Sequence, residues 1–212
     1  MNVKELKKIL GKIWYFIWES NSIWSWIVNI ILAFVIIKFL VYPGLGFVLG
    51  TSHPIVAVVS SSMEHDGSFD QWWSSPASCN GKACTQNEYY SGFNITKEQF
   101  YTFNFKNGFN KGDIIALKGK LPEEINIGDI IVFRNKKPDP IIHRVIKKWK
   151  ENEVYYFQTK GDHNSASVKS LSLDETKIFQ DEVIGKALFR IPYLGWIKIL
   201  FVDFLKLIGI LR

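Results

Sequence analysis

The stretch Ile141 to Asn164, IIHRVIKKWKENEVYYFQTKGDHN, decides how the chain folds. Two runs rich in Ile, Val, Tyr and Phe, Ile141 to Lys147 and Val154 to Thr159, flank a charged turn, a pattern of strands and not of helices. The pattern recurs outward in both directions. Pro54 to Ser60, Asp113 to Lys118, Asp129 to Arg134 and Val183 to Arg190 are further short runs bounded by Gly, Pro, Asp and Asn. No helical periods alternate with them as parallel βαβ units require, so the expected fold is mainly β, an antiparallel all-β domain. No internal repeat is found.

Between the first two of these runs lies a block, 64–110, in which Trp72, Trp73, Tyr89, Tyr90 and Phe100 stand among Gly, Ser and Asn. It is too aromatic for a flexible linker and is read as an inserted subdomain. Cys79 and Cys84, the only 2 cysteines, fall inside it and are read as a small-loop disulfide. Asn94-Ile95-Thr96 is a glycosylation sequon consistent with an extracytoplasmic loop. Trp72 and Trp73 either form the core of the insertion or dip into a membrane interface, the first reading being favoured.

Ile23 to Tyr42, IWSWIVNIILAFVIIKFLVY, is 20 residues interrupted only by Ser25, Asn29 and Lys38, enough to cross a hydrocarbon core of roughly 30 Å. The segment 21–43 is therefore expected to be a transmembrane helix. Before it, residues 1–20 carry Lys4, Lys7, Lys8 and Lys12 beside apolar positions at helical spacing, the mark of an interfacial helix on the cytoplasmic side. The positive-inside rule then gives a single-pass protein with residues 44–194 outside. The apolar run is too long for a cleaved signal peptide. At the other end, 195–212 holds Lys198, Asp203 and Lys206 on one half of a helical wheel and reads as an amphipathic helix lying in the interface. Composition agrees with a membrane setting: 212 residues carry 47% hydrophobic and 15% aromatic residues, with 8 tryptophans. The net charge of +6 is modest and no basic stripe matches a nucleic-acid motif, so a lipid bilayer, and no nucleic acid, is the expected partner.

Chemistry is first suggested by Val58 to His65, VVSSSMEH. A serine hydroxyl becomes a useful nucleophile only when a base takes its proton. Of the 4 histidines, His143 lies in an otherwise apolar strand and is either a satisfied core histidine or such a base. Asp162, in TKGDHN, is either a plain turn residue or the carboxylate that orients an imidazole. No HExxH or comparable pair is present, so neither a metal nor a cofactor is expected.

The order of an apolar helix, VVSSSM, KGDIIALKG, IGDIIVF, IIHRVI, FQTKGDHN and VIGKALFRIPYLGWI resembles the type I signal peptidases, in their archaeal and endoplasmic-reticulum branch. The similarity runs from about Ile23 to Trp196 and excludes the insertion. It implies a membrane-bound serine endopeptidase, a hydrolase removing signal peptides from secreted preproteins. Ser62 would be the nucleophile and His143, matching the histidine of this branch, the general base. Ser60 would donate its hydroxyl to the oxyanion, beside the Ser62 backbone N–H. Asp162 matches the family's GD turn. The chain departs from the family at Ser61, where glycine is common, at His65, where proline is common, and after the GD turn, where a second aspartate is missing. The acid is thus left among Asp162 and, as alternatives, Asp174 and Asp181. A histidine base without a retention signal points to an archaeal plasma membrane, with association with a secretion translocon left open. The competing reading is a catalytically inactive, membrane-tethered β module for binding or assembly.

Overall fold

The computed structural model describes residues 2–136 and 139–209. They fall into two compact units, 1–48 and 49–212.

In the first unit a helix over Val3–Trp18 starts at Asn2, whose side chain accepts from the Lys4 N–H while the Glu5 carboxylate accepts from the Asn2 N–H. A second helix, Ile23–Leu49, has 27 residues with a mean hydropathy of 2.2 and is long and apolar enough to cross a membrane. It continues past Pro43. Proline brings no N–H and its ring crowds the carbonyl four residues back, and the helix responds by widening over Ile37–Val41, where the Tyr42 N–H donates to the Ile37 carbonyl. Two polar interruptions of the apolar run also find a purpose. Ser25 Oγ donates to the Phe16 carbonyl and Asn29 Nδ2 to the Ile17 carbonyl at 2.8 Å, which secures the end of the first helix on the second.

The second unit is built on a seven-stranded sheet. Its strands are β1 (Ile55–Ala57), β4 (Ile114–Lys118), β5 (Ile130–Phe133), β6 (Ile141–Glu151), β7 (Val154–Lys160), β8 (Ile178–Phe179) and β9 (Val183–Ile191), in the order β1-β4-β9-β5-β6-β7-β8. Every paired neighbour is antiparallel. β2 (Pro76–Cys79) and β3 (Lys82–Thr85) form a separate hairpin. The β6–β7 turn places Asn152 and Glu153 at positive φ, the backbone that a two-residue hairpin connection needs. β5 is buried on both faces. Ile130 and Val132 join a core with Met63, Phe109 and Leu117, while Ile131 and Phe133, one residue out of phase, join Val145, Phe157 and Ile178.

The insertion carries short helices over Phe69–Trp73, Gln86–Ser91 and Lys97–Tyr101, each opened by a side-chain cap from Ser68, Thr85 and Thr96. Trp72, Trp73, Tyr90 and Phe100 are buried together as its core. Cys79 and Cys84 are joined across the β2–β3 hairpin, with Cα atoms 5.8 Å apart. The C-terminal helix, Trp196–Leu207, has 12 residues and spans about 18 Å. It buries Ile199 and exposes Leu200, Phe201 and Phe204. Residues 210–212 of the segment expected as an interfacial helix lie outside the described residues.

Candidate active site

Ser62 stands where β1 stops being a strand. Val58 still pairs, donating to the Asp113 carbonyl and accepting from the Gly112 N–H, and beyond it the chain turns, with the Glu64 N–H donating to the Ser61 carbonyl. Met63 fixes the far side of this turn. It is fully buried, its carbonyl accepts from the Phe109 N–H, and its sulfur lies 3.5 Å from the Asp162 N–H. The Ser62 carbonyl accepts from the His163 N–H at 2.9 Å. Ser61 is not at positive φ, so serine stands there without left-handed strain.

His143 reaches this serine from β6, where it pairs with Ile131 of β5. Its Nε2 lies 2.9 Å from Ser62 Oγ. Its Nδ1 contacts Glu175 Oε1. Facing a carboxylate, Nδ1 carries the proton, and Nε2 is left to accept from the serine hydroxyl. Glu175 is fully buried and itself held: Thr159 Oγ1 donates to Oε1 at 3.0 Å and the Val168 N–H to Oε2 at 2.7 Å. Ser60 Oγ is 3.2 Å from Ser62 Oγ. Over the pair lies Gly161, where a Cβ would come within 2.7 Å of both His143 Nε2 and the Ser62 carbonyl oxygen. Only glycine lets that turn sit so close. A hydroxyl, an imidazole and a buried carboxylate in this sequence form an arrangement that can draw a proton from the serine and stabilise the imidazolium that results.

Asp162 does not take part in that row. Strand neighbours point to opposite faces, so His143 and Arg144 diverge, and Asp162 lies on the Arg144 side. Its carboxylate accepts from Arg144 Nε at 2.9 Å, Arg144 Nη2 at 2.7 Å, His65 Nε2 at 3.0 Å and Tyr90 Oη at 3.1 Å. Burial alone would raise this carboxyl, but the Arg144 guanidinium and the bonds from His65 and Arg144 outweigh it and hold it well below the usual carboxylate range. Arg144 also donates to the carbonyls of Asn104, Phe105 and Gly128. His65 stacks on Trp72 with ring centroids 3.6 Å apart.

Neither alternative acid is near His143 in its contacts. Asp174 is exposed and accepts from Thr176 N–H and Oγ1 at 2.9 and 2.6 Å, and Asp181 is exposed in a 3₁₀ turn. The carboxylate that does meet His143, Glu175, was not singled out from sequence. No local pattern marks it: in LSLDET, Leu171, Leu173 and Glu175 share one phase, but Leu171 is exposed. Among the described residues no cluster of three or more His, Cys, Asp and Glu side chains could hold a metal ion.

No protein-family model matches the chain. Among curated proteins it is similar to the signal peptidase complex catalytic subunit SEC11C of Homo sapiens and of Canis lupus familiaris, with 31% identity over 101 residues, 46% of this chain and 53% of each relative. It is also similar to the signal peptidase complex catalytic subunit SEC11 of Pyricularia oryzae, with 26% identity over 95 residues, 43% of this chain and 55% of the relative. The chain thus spans about half the length of these curated relatives, all of them eukaryotic signal peptidase catalytic subunits.

Proposed function

We propose that this chain is a membrane-bound serine endopeptidase that removes signal peptides from preproteins, with Ser62 as nucleophile, His143 as general base and Glu175 as the carboxylate that orients it. The contact of Ser62 Oγ with His143 Nε2 at 2.9 Å carries this reading. The similarity to signal peptidase catalytic subunits supports it.

In the first step Ser62 Oγ attacks the scissile carbonyl as its proton passes to His143 Nε2. Glu175, bonded to Nδ1–H, keeps the ring in the tautomer that can accept and favours the imidazolium that forms. The Ser60 hydroxyl and the Ser62 N–H stabilise the oxyanion. His143 then returns the proton to the leaving amine, which is the new N-terminus of the mature protein. The signal peptide stays esterified to Ser62 as the acyl-enzyme, and water activated by the same base hydrolyses that ester and releases the signal peptide. β1 lies at an edge of the sheet, which leaves room for an extended cleavage segment to pair beside it. In this reading the helix Ile23–Leu49 crosses the bilayer with the N-terminus cytoplasmic, and the β unit works on the far face, where a signal peptide ends its apolar run.

The test is cleavage of a model preprotein by detergent-solubilised protein. Ser62→Ala and His143→Ala should each lose about 10⁴-fold or more in kcat while remaining folded. A Ser62→Ala variant that cuts at the wild-type rate overturns the assignment.

A further inference from the structure

Lys160, the last residue of β7, is fully buried, and among the described residues its ammonium is bonded to backbone carbonyls and to no carboxylate. It sits directly across the strand pair from Arg144, also fully buried, so two like charges face each other away from water. Its Nζ donates to the carbonyls of Gly161 at 3.0 Å and Asp162 at 3.2 Å. Both oxygens already have partners: Gly161 O accepts from the Asn164 N–H at 2.9 Å, and Asp162 O from Trp72 Nε1 at 3.0 Å. A methionine of similar length would leave neither carbonyl orphaned and would avoid the cost of burying the charge. The insertion closes over the ammonium, with the rings of Tyr89 and Tyr90 at 5.3 and 5.1 Å.

The two carbonyls belong to the turn that seats the proposed catalytic pair. Gly161 packs against His143 Nε2 and the Ser62 carbonyl, and His163 N–H holds Ser62 O. We propose that Lys160 is a positioning residue whose charged ammonium clamps the 161–163 turn against Ser62 and His143, and that Tyr89 and Tyr90 of the insertion keep this clamp dry. The inference rests on the peptidase reading. The charged and titratable groups around Lys160 are Asp162 and Glu175, which favour its proton, Arg144, which opposes it, and the two tyrosines. Burial is the largest influence and brings the ammonium down to about 7, so the clamp is in place at lower pH and released as pH rises through that range.

The test compares wild type, Lys160→Met and Ser62→Ala in preprotein cleavage from about pH 5.5 to about pH 9, with thermal unfolding of each. In wild type, kcat should fall on the alkaline side as Lys160 loses its proton. Lys160→Met should lose about 10- to 100-fold in kcat at pH 6 with little change in KM, because a misplaced attacking pair slows chemistry and not binding. It should also lack the alkaline fall. Lys160→Met should be no less stable than wild type at pH 6, since the buried charge is gone. Wild-type kcat in Lys160→Met, or the same alkaline fall in that variant, overturns the proposal. So does a wild-type kcat that stays level to pH 9, a result that counts even if the variant fails to fold. If wild type cuts no better than Ser62→Ala, the peptidase reading itself falls and this inference with it.

Discussion

Two buried carboxylates flank β6, and they do opposite things. Glu175 meets an imidazole, a hydroxyl and one backbone N–H, and no arginine or lysine among the described residues is bonded to it. Asp162 meets a guanidinium through both oxygens, a second imidazole and a phenol. A carboxylate committed to arginine has its charge neutralised and its geometry fixed, which suits a structural hub. One that faces a histidine can respond when that histidine gains a proton, which suits chemistry. Burial is equal in the two places, at 0% exposure, so the partner and not the burial separates the roles.

The comparison can be broken or sharpened by substitution. Replacing the serine or histidine that the Glu175 side serves has the largest expected effect, the loss of about 10⁴-fold or more in kcat described above. Next comes Glu175→Gln, which leaves the shape but offers His143 an amide in place of a carboxylate. It should lower kcat by about 10³- to 10⁴-fold with the melting temperature little changed. On the other side, Asp162→Asn leaves Arg144 buried and unpaired and should cost about 3–5 kcal/mol of stability, read in chemical denaturation. Because Asp162 titrates well below its unfolded range, its contribution is in full force above the ordinary carboxylate range and is lost progressively as pH falls from that range toward the lower folded value. The variant should therefore lose that part of the acid-unfolding curve. Asp174→Asn and Asp181→Asn, both on the exposed surface, should have the smallest effects, within about 0.5 kcal/mol in stability and about twofold in rate.

Much of this arrangement was legible in the sequence because it rests on short-range pattern. Alternating runs gave an antiparallel sheet, and the apolar stretch gave a helix long enough to span. The imidazole of His143, isolated in an apolar strand, indeed lies beside Ser62. What was not legible depended on facing. Asp162 lies in the turn after the strand that pairs with β6, close enough in sequence to look like the acid, but it meets Arg144, which strand alternation points away from His143. Glu175 returns to His143 through a loop after β7, and no local pattern reports where such a loop brings its side chains. The helix end lies beyond the expected residue 43 for a different reason: a widened turn before Pro43 carries the helix on to Leu49.

The most direct measurement is the rate at which a serine-directed fluorophosphonate labels the protein, with the adduct located by peptide mass spectrometry, in wild type, Glu175→Gln and Asp174→Asn. The account predicts an adduct on Ser62, labelling slowed by about 100-fold or more in Glu175→Gln, and a wild-type rate in the neighbouring Asp174→Asn. An adduct on another residue, or equal labelling in Glu175→Gln and wild type, would contradict it.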